Sequence, residues 1–396
     1  MSMFEAGVPN DLVTRKAGTI RKLERMKKTL MHQEADRIPI SDFFWGSFIK
    51  RWRSELNLSA DANPYYYYDL DWIVTIPNLD PLIRAFETIK ENEEEVTVKT
   101  GFGAIMRKLF EFPMPEFIGW ETNTIEKLEE LIFDDAFDQR RYLDSGDNQI
   151  AGVGDGFSRN TPAWLKTVES LWPDFPVFGS VIECSECLTR LIGPENHLLW
   201  LGLEPERMAA VLARIGQFYL DCAKAQISAA QGKMDGIVIW GDFAYKSGTF
   251  MHPDYWRENY KPWVKAIADY AHSHGLMVIY HGCGNVNAVF DDFIHAGIDA
   301  YNPLEVKAGM DVVELRHRYG HKIAFCGNNN VQLWETGDLK KIKHEILRNF
   351  SAARGGGYIF HSDHSVSSNV SGRTYDYIVK LVRQYGNYPL NLPADY

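Results

Sequence analysis

GIVIWGDF (Gly236 to Phe243) and GLMVIYHGCG (Gly275 to Gly284) are apolar, β-branched runs that each end in glycine and polar residues. Between them lies HPDYWRENYKPWVKAIADYAHSHG, with Pro253 at a helix start and Gly275 at its end. A buried strand followed by a helix is the βα rhythm, and the chain repeats it. After the second run Val286, Val289, Phe290, Phe293 and Ile294 fall on one helical face, closed by Gly297. GIDAYNPLE (297–305), KIAFCGNNN (322–330) and GYIFHSDHS (357–365) read as further strands, the last two separated by a helix carrying Leu339, Ile342, Ile346, Leu347 and Phe350.

Upstream, RIPISDFFW (37–45), DWIVTIPN (71–78) and PVFGSVIEC (176–184) complete a set of eight. Eight strands joined by helices, with no glycine-rich dinucleotide fingerprint at the first turn, predict an α/β fold of the closed (β/α)8 TIM-barrel type. The expected organisation is a single barrel domain over 1–396, with an N-terminal helical extension at 1–36. Residues 94–120 alternate like antiparallel hairpin strands and are expected to leave the barrel wall as an excursion.

Composition narrows the function. The 396 residues are 45% hydrophobic and 24% charged, as in a globular protein able to bury a large core. Forty-two Lys+Arg against fifty-three Asp+Glu leave a formal charge of −11, with no basic run, which argues against nucleic acid or an anionic bilayer as partner. No signal-peptide core and no apolar run of membrane-spanning length stand out, so a cytoplasmic location is expected. Five cysteines are few and odd in number, which argues against a disulfide framework.

In such a barrel, chemistry belongs at the carboxyl ends of the strands. Glu183, Asp242, His281, Cys283, Glu305, Cys326, Asn328, His361, Asp363 and His364 all fall there. His281-Gly282-Cys283 is the sharpest signal, because residues i and i+2 of a strand share a face and imidazole nitrogen with thiolate sulfur suits zinc. A third metal ligand is then needed, and His364, His361 and Cys326 are the candidates. Asp242 is a candidate ligand or proton donor, Glu183 could reach the mouth, and Asp71 is a candidate general acid or substrate anchor. Asn285 and Asn328, in the loops after two strands, are candidate cofactor contacts. Cys184 and Cys187 have the spacing of a metal or redox pair but lack a second such pair, and packing is the expected role.

The series DRIPI, WGDF, SGTFMHPDYWRENYKPWVKAIADYAHSHG, HGCGNV, GIDAYNP, CGNNNV and GGGYIFHSDHSV resembles the uroporphyrinogen decarboxylase superfamily from about residue 19 to about residue 390. It is similar in particular to the cobalamin-dependent branch, such as the methylcobamide:coenzyme M methyltransferases. The resemblance implies a (β/α)8 barrel and zinc on the residues matching the family's His-x-Cys, here His281 and Cys283. It implies a third ligand after the last strand, where the family has cysteine and this chain has His364. His364 also matches a histidine of the decarboxylases themselves. Their Arg-Gln-Ala-Gly-Arg-Tyr stretch, which holds a polycarboxylate porphyrinogen, is replaced here by Ser41-Asp42-Phe43-Phe44-Trp45.

The expectation is therefore a zinc-dependent methyltransferase that moves a methyl group between a corrinoid and a thiol or another small acceptor or donor. The corrinoid-binding pattern Asp-x-His-x-x-Gly is absent, so the corrinoid (cobalamin) would come on a partner protein. The alternative is a cofactor-free decarboxylase of a porphyrin or non-porphyrin carboxylate, with Asp71 stabilising positive charge and His364 helping proton transfer. A catalytically silent barrel that binds a small aromatic or corrinoid ligand is the third reading.

Overall fold

The structure is a computed structural model that describes residues 15–84, 87–110, 115–144, 149–150, 157–158 and 162–394. Parts of the expected N-terminal extension (1–14) and of the excursion (111–114) lie outside the described residues.

Seven parallel strands form one sheet in chain order: Ile73–Val74, Val177–Ile182, Gly236–Trp240, Met277–His281, Ala300–Asn302, Ala324–Cys326 and Tyr358–Ile359. The segment 39–44 closes it. Ile40 bridges Phe360 in parallel, the Ser41 amide donates to the Phe360 carbonyl (3.2 Å), and the Asp71 amide donates to the Ile40 carbonyl (2.8 Å). The first stretch thus lies between the last strand and the second, which gives the predicted (β/α)8 arrangement, and all eight stretches read from the sequence take part.

Strand parity fills the interior. Phe43, Trp72, Phe178, Val238, Met277, Ile279, Ala300, Ala324, Cys326 and Ile359 form one buried cluster, while the larger core lies between strands and helices. Met26, from helix Ala17–Leu30, joins the interior cluster, so this helix covers the amino end of the barrel. Beside it Arg25 and Arg37 grip the fully buried Asp71.

Helix boundaries follow local chemistry. The segment between the two opening strands forms two helices, Pro253–Asn259 and Lys261–Ser273, because Pro262 can start a helix but not continue one. The excursion is a four-stranded antiparallel sheet, Glu87–Glu91, Glu95–Lys99, Ala104–Leu109 and Glu116–Trp120. It starts before residue 94 because ETIKE, its first strand, is exposed throughout and shows no apolar alternation. Trp120 seats this sheet on helix Cys184–Leu203 at Gly193, where φ is +80° and a Cβ would meet the indole at 2.9 Å. Among the described residues no helix is long and apolar enough to cross a membrane.

Candidate metal centre

Parallel strands bring their carboxyl ends to one rim. In the strand Met277–His281, Met277 and Ile279 face the barrel interior, so His281 does too. Cys283 follows in the next loop and turns back, with its Sγ 3.9 Å from His281 Nε2. The neighbouring strand pairs Trp240 with His281, which sets Asp242, two residues on, beside Cys283. The Cys283 amide donates to Asp242 Oδ1 at 2.8 Å. One potential ligand atom from each of Asp242, His281 and Cys283 lies within 4.8 Å of the others, and this is the only such group among the described residues.

Asn302 decides which nitrogen of His281 is available. Its Nδ2 donates to the Cys326 carbonyl (3.1 Å) and lies 3.3 Å from the Cys326 sulfur, which turns Oδ1 toward His281 Nδ1 at 2.5 Å. An amide oxygen only accepts, so Nδ1 carries the proton and Nε2 keeps its lone pair toward Cys283. A metal-ligating histidine uses the same arrangement to fix its ring.

The donor set fits zinc. Tetrahedral Zn–N and Zn–S bonds of about 2.0 and 2.3 Å place nitrogen and sulfur about 3.6 Å apart, close to the separation here. Burial pushes the His281 pKa down, which keeps the imidazole neutral. Burial, then the Asp242 charge, pushes the Cys283 thiol well up, so it stays protonated until a cation displaces the proton. Glu183 is buried nearby, its Oε2 accepting from the Ser185 amide (2.7 Å) at the start of helix Cys184–Leu203. Burial raises its pKa to about 8, which leaves it an acid at neutral pH.

The other predicted residues fall outside this group of three, although the charges of His361 and His364 are felt at His281. His364 is half-buried with its ring 6.5 Å from that of Trp45, outside the Asp242, His281 and Cys283 group. Cys326 is in the apolar interior, where burial raises its thiol pKa. Asp71 precedes its strand and so stands at the amino end of the barrel, held by Arg25, Arg37 and the Ile40 amide (2.7 Å). It is not at the site. Asn328 bonds the Val312 amide (3.0 Å) and the Leu304 and Met310 carbonyls (2.7 and 2.8 Å). Asn285 braces its own loop through the Asn287 amide (3.1 Å) and the Ala308 carbonyl (3.0 Å). Both asparagines bond backbone groups and so support their loops. Cys184 and Cys187 are buried free thiols packed in the core. Asn302 was not legible as a site residue, although its place at the end of the strand next to His281 was a usable signal.

Comparison with known proteins agrees with this fold. The family model described as uroporphyrinogen decarboxylase (URO-D) matches residues 158–385. Among solved structures the chain is similar to a methyltransferase from Methanosarcina mazei, with 15% identity, a TM-score of 0.61, and coverage of 92% of this chain and 98% of that one. A weaker likeness, with a TM-score of 0.40 and 13% identity over 57% of this chain and 70% of that one, is to a protein provisionally called a vitamin-B12 independent methionine synthase from Listeria monocytogenes. No curated protein matches the sequence.

Proposed function

We propose, on the premise that this chain belongs to the uroporphyrinogen decarboxylase (URO-D) family, that it is a zinc-dependent methyltransferase. It would work in the cytoplasm and move a methyl group between a corrinoid, supplied by a partner protein, and a thiol or another small acceptor or donor. The observation that carries this reading is the meeting of Asp242, His281 and Cys283 at the carboxyl rim. The named activity of the Methanosarcina mazei protein supports it.

Zinc held by His281 Nε2, Cys283 Sγ and an Asp242 oxygen would supply a Lewis acid that lowers the pKa of a bound thiol or polarises a methylated oxygen. The chain itself supplies orientation and dryness. Asn302 fixes the His281 ring, and the rings of Trp240 and Phe43, 4.6 and 6.0 Å from it, shield it from water. In the decarboxylase alternative positive charge is stabilised by Asp71, and Asp71 stands at the opposite end of the barrel from this rim.

Purified wild type is expected to hold about one zinc per chain, and Cys283→Ala much less, by elemental analysis after gentle purification. Wild type far below that level overturns the reading. Asn302→Ala, which frees the imidazole to rotate, is expected to weaken zinc binding about 10–100-fold by competition with a chromogenic chelator. Unchanged affinity would remove Asn302 from the site's support.

A further inference from the structure

We propose that Asn328 is a positioning residue of the metal centre, clamping the segment 302–310 against which both the His281 ring and the loop carrying Cys283 are held. This deepens the methyltransferase reading and rests on it only in calling His281 and Cys283 metal ligands.

The segment supports both side chains. At its start the Asn302 side chain fixes His281 through Nδ1, and the Asn302 carbonyl accepts from the Gly282 amide at 2.9 Å. Further along, Glu305 Oε2 accepts from the Gly284 amide at 2.8 Å, and the Ala308 carbonyl accepts from Asn285 Nδ2 at 3.0 Å. Cys283 therefore sits in a loop whose other residues, Gly282, Gly284 and Asn285, each bond the same segment.

Left to itself the segment would not keep this shape. Leu304 has a φ of +60°, in the left-handed region that residues with side chains seldom occupy, and such outliers persist only where the surroundings impose them. Asn328 imposes this one. Its Nδ2 donates to the Leu304 and Met310 carbonyls at 2.7 and 2.8 Å, its Oδ1 accepts from the Val312 amide at 3.0 Å, and its own amide donates to the Pro303 carbonyl at 2.8 Å. Asp363 adds one bond, its Oδ2 accepting from the Val306 amide at 3.0 Å. Gly327 lets the segment lie this close, since a Cβ there would meet the Pro303 carbonyl oxygen at 2.0 Å.

The chemistry calls for a primary amide. Nδ2 has two hydrogens for two carbonyls and Oδ1 has a lone pair for one N–H, so a buried asparagine meets all three. Asn328 itself stands at a φ of +65°, which glycine adopts freely. Asn328→Gly thus removes the clamp without straining the backbone.

Asn328→Gly is expected to weaken zinc binding about 10–100-fold by competition with a chromogenic chelator, the scale on which outer partners of metal ligands act. Asp71→Ala, which loosens the other end of the barrel, controls for lost stability and should bind zinc as wild type does. A second readout needs no metal. Cys283 is half-buried and the other four cysteines are buried, so Ellman's reagent with chelator present reports on Cys283. Labelling should be severalfold faster in Asn328→Gly, as the loop opens, and unchanged in Asp71→Ala. A wild type without zinc that still shows the labelling difference would sink the metal reading and leave the clamp standing. If Asn328→Gly does not fold, Asn328→Asp replaces it, keeping the Val312 bond and setting an oxygen against two carbonyls. Unchanged labelling, unchanged affinity in a wild type that binds zinc, equal losses in Asp71→Ala, or failure of both Asn328 variants to fold overturns the proposal.

Discussion

Asp71→Ala is expected to lose about 3–5 kcal/mol of stability while methyl transfer per folded molecule stays near the wild-type rate. Asp71 accepts from Arg25, from both terminal nitrogens of Arg37 at 2.6 and 3.0 Å, and from the Ile40 amide at 2.7 Å. Removing the carboxylate leaves the buried Arg37 guanidinium without its partner carboxylate and breaks the link between the closing segment and the second strand. Arg25 keeps Asp36 and suffers less. Urea denaturation should show a lower midpoint at an unchanged slope. Wild-type stability with lost turnover would instead return Asp71 to the chemistry and favour the decarboxylase alternative.

The barrel was legible because strands buried on both faces are continuous apolar runs, and here each is punctuated by glycine or a polar turn. The inward direction of His281 was legible for a similarly local reason, period-two alternation, whereas Cys283 lies past the strand end and reaches His281 by the turn of the loop rather than by sharing a strand face. Asp242 needed more: its distance from Cys283 comes from the register of Trp240 against His281, a relation between strands that one strand's sequence does not contain. Cys326 shares the interior face of Ala324 and its sulfur is buried in the apolar cluster against Asn302 Nδ2 (3.3 Å), outside the group of Asp242, His281 and Cys283. The Asp71 misreading has a directional cause. A polar residue before a parallel strand lies at the barrel's amino end, and the strand here begins only at Ile73. The loop after the last strand was opaque for another reason. Ser362 bonds both Asp42 and the His364 carbonyl, so the chain turns there and carries His364 toward Trp45.

His281→Ala is expected to abolish zinc binding and to cut methyl transfer by at least about 10²–10³-fold, the scale on which one preorganised electrostatic group is missed. Transfer from free methylcobalamin to 2-mercaptoethanol gives the assay, with zinc content measured on the same preparation. The fold should survive. His281 ends its strand, is only partly buried, and its removal leaves one polar atom, Asn302 Oδ1, without its partner, a cost of about 1–3 kcal/mol. That loss is smaller than the one expected at Asp71, so thermal melts of the two variants rank the two ends of the barrel. If His281→Ala melts as early as Asp71→Ala, the histidine belongs to the packed core and its closeness to Cys283 and Asp242 reflects packing. If it melts late yet neither holds zinc nor transfers methyl groups, the carboxyl rim is where the chemistry resides, and the ion pairs at the amino end hold the barrel closed around it.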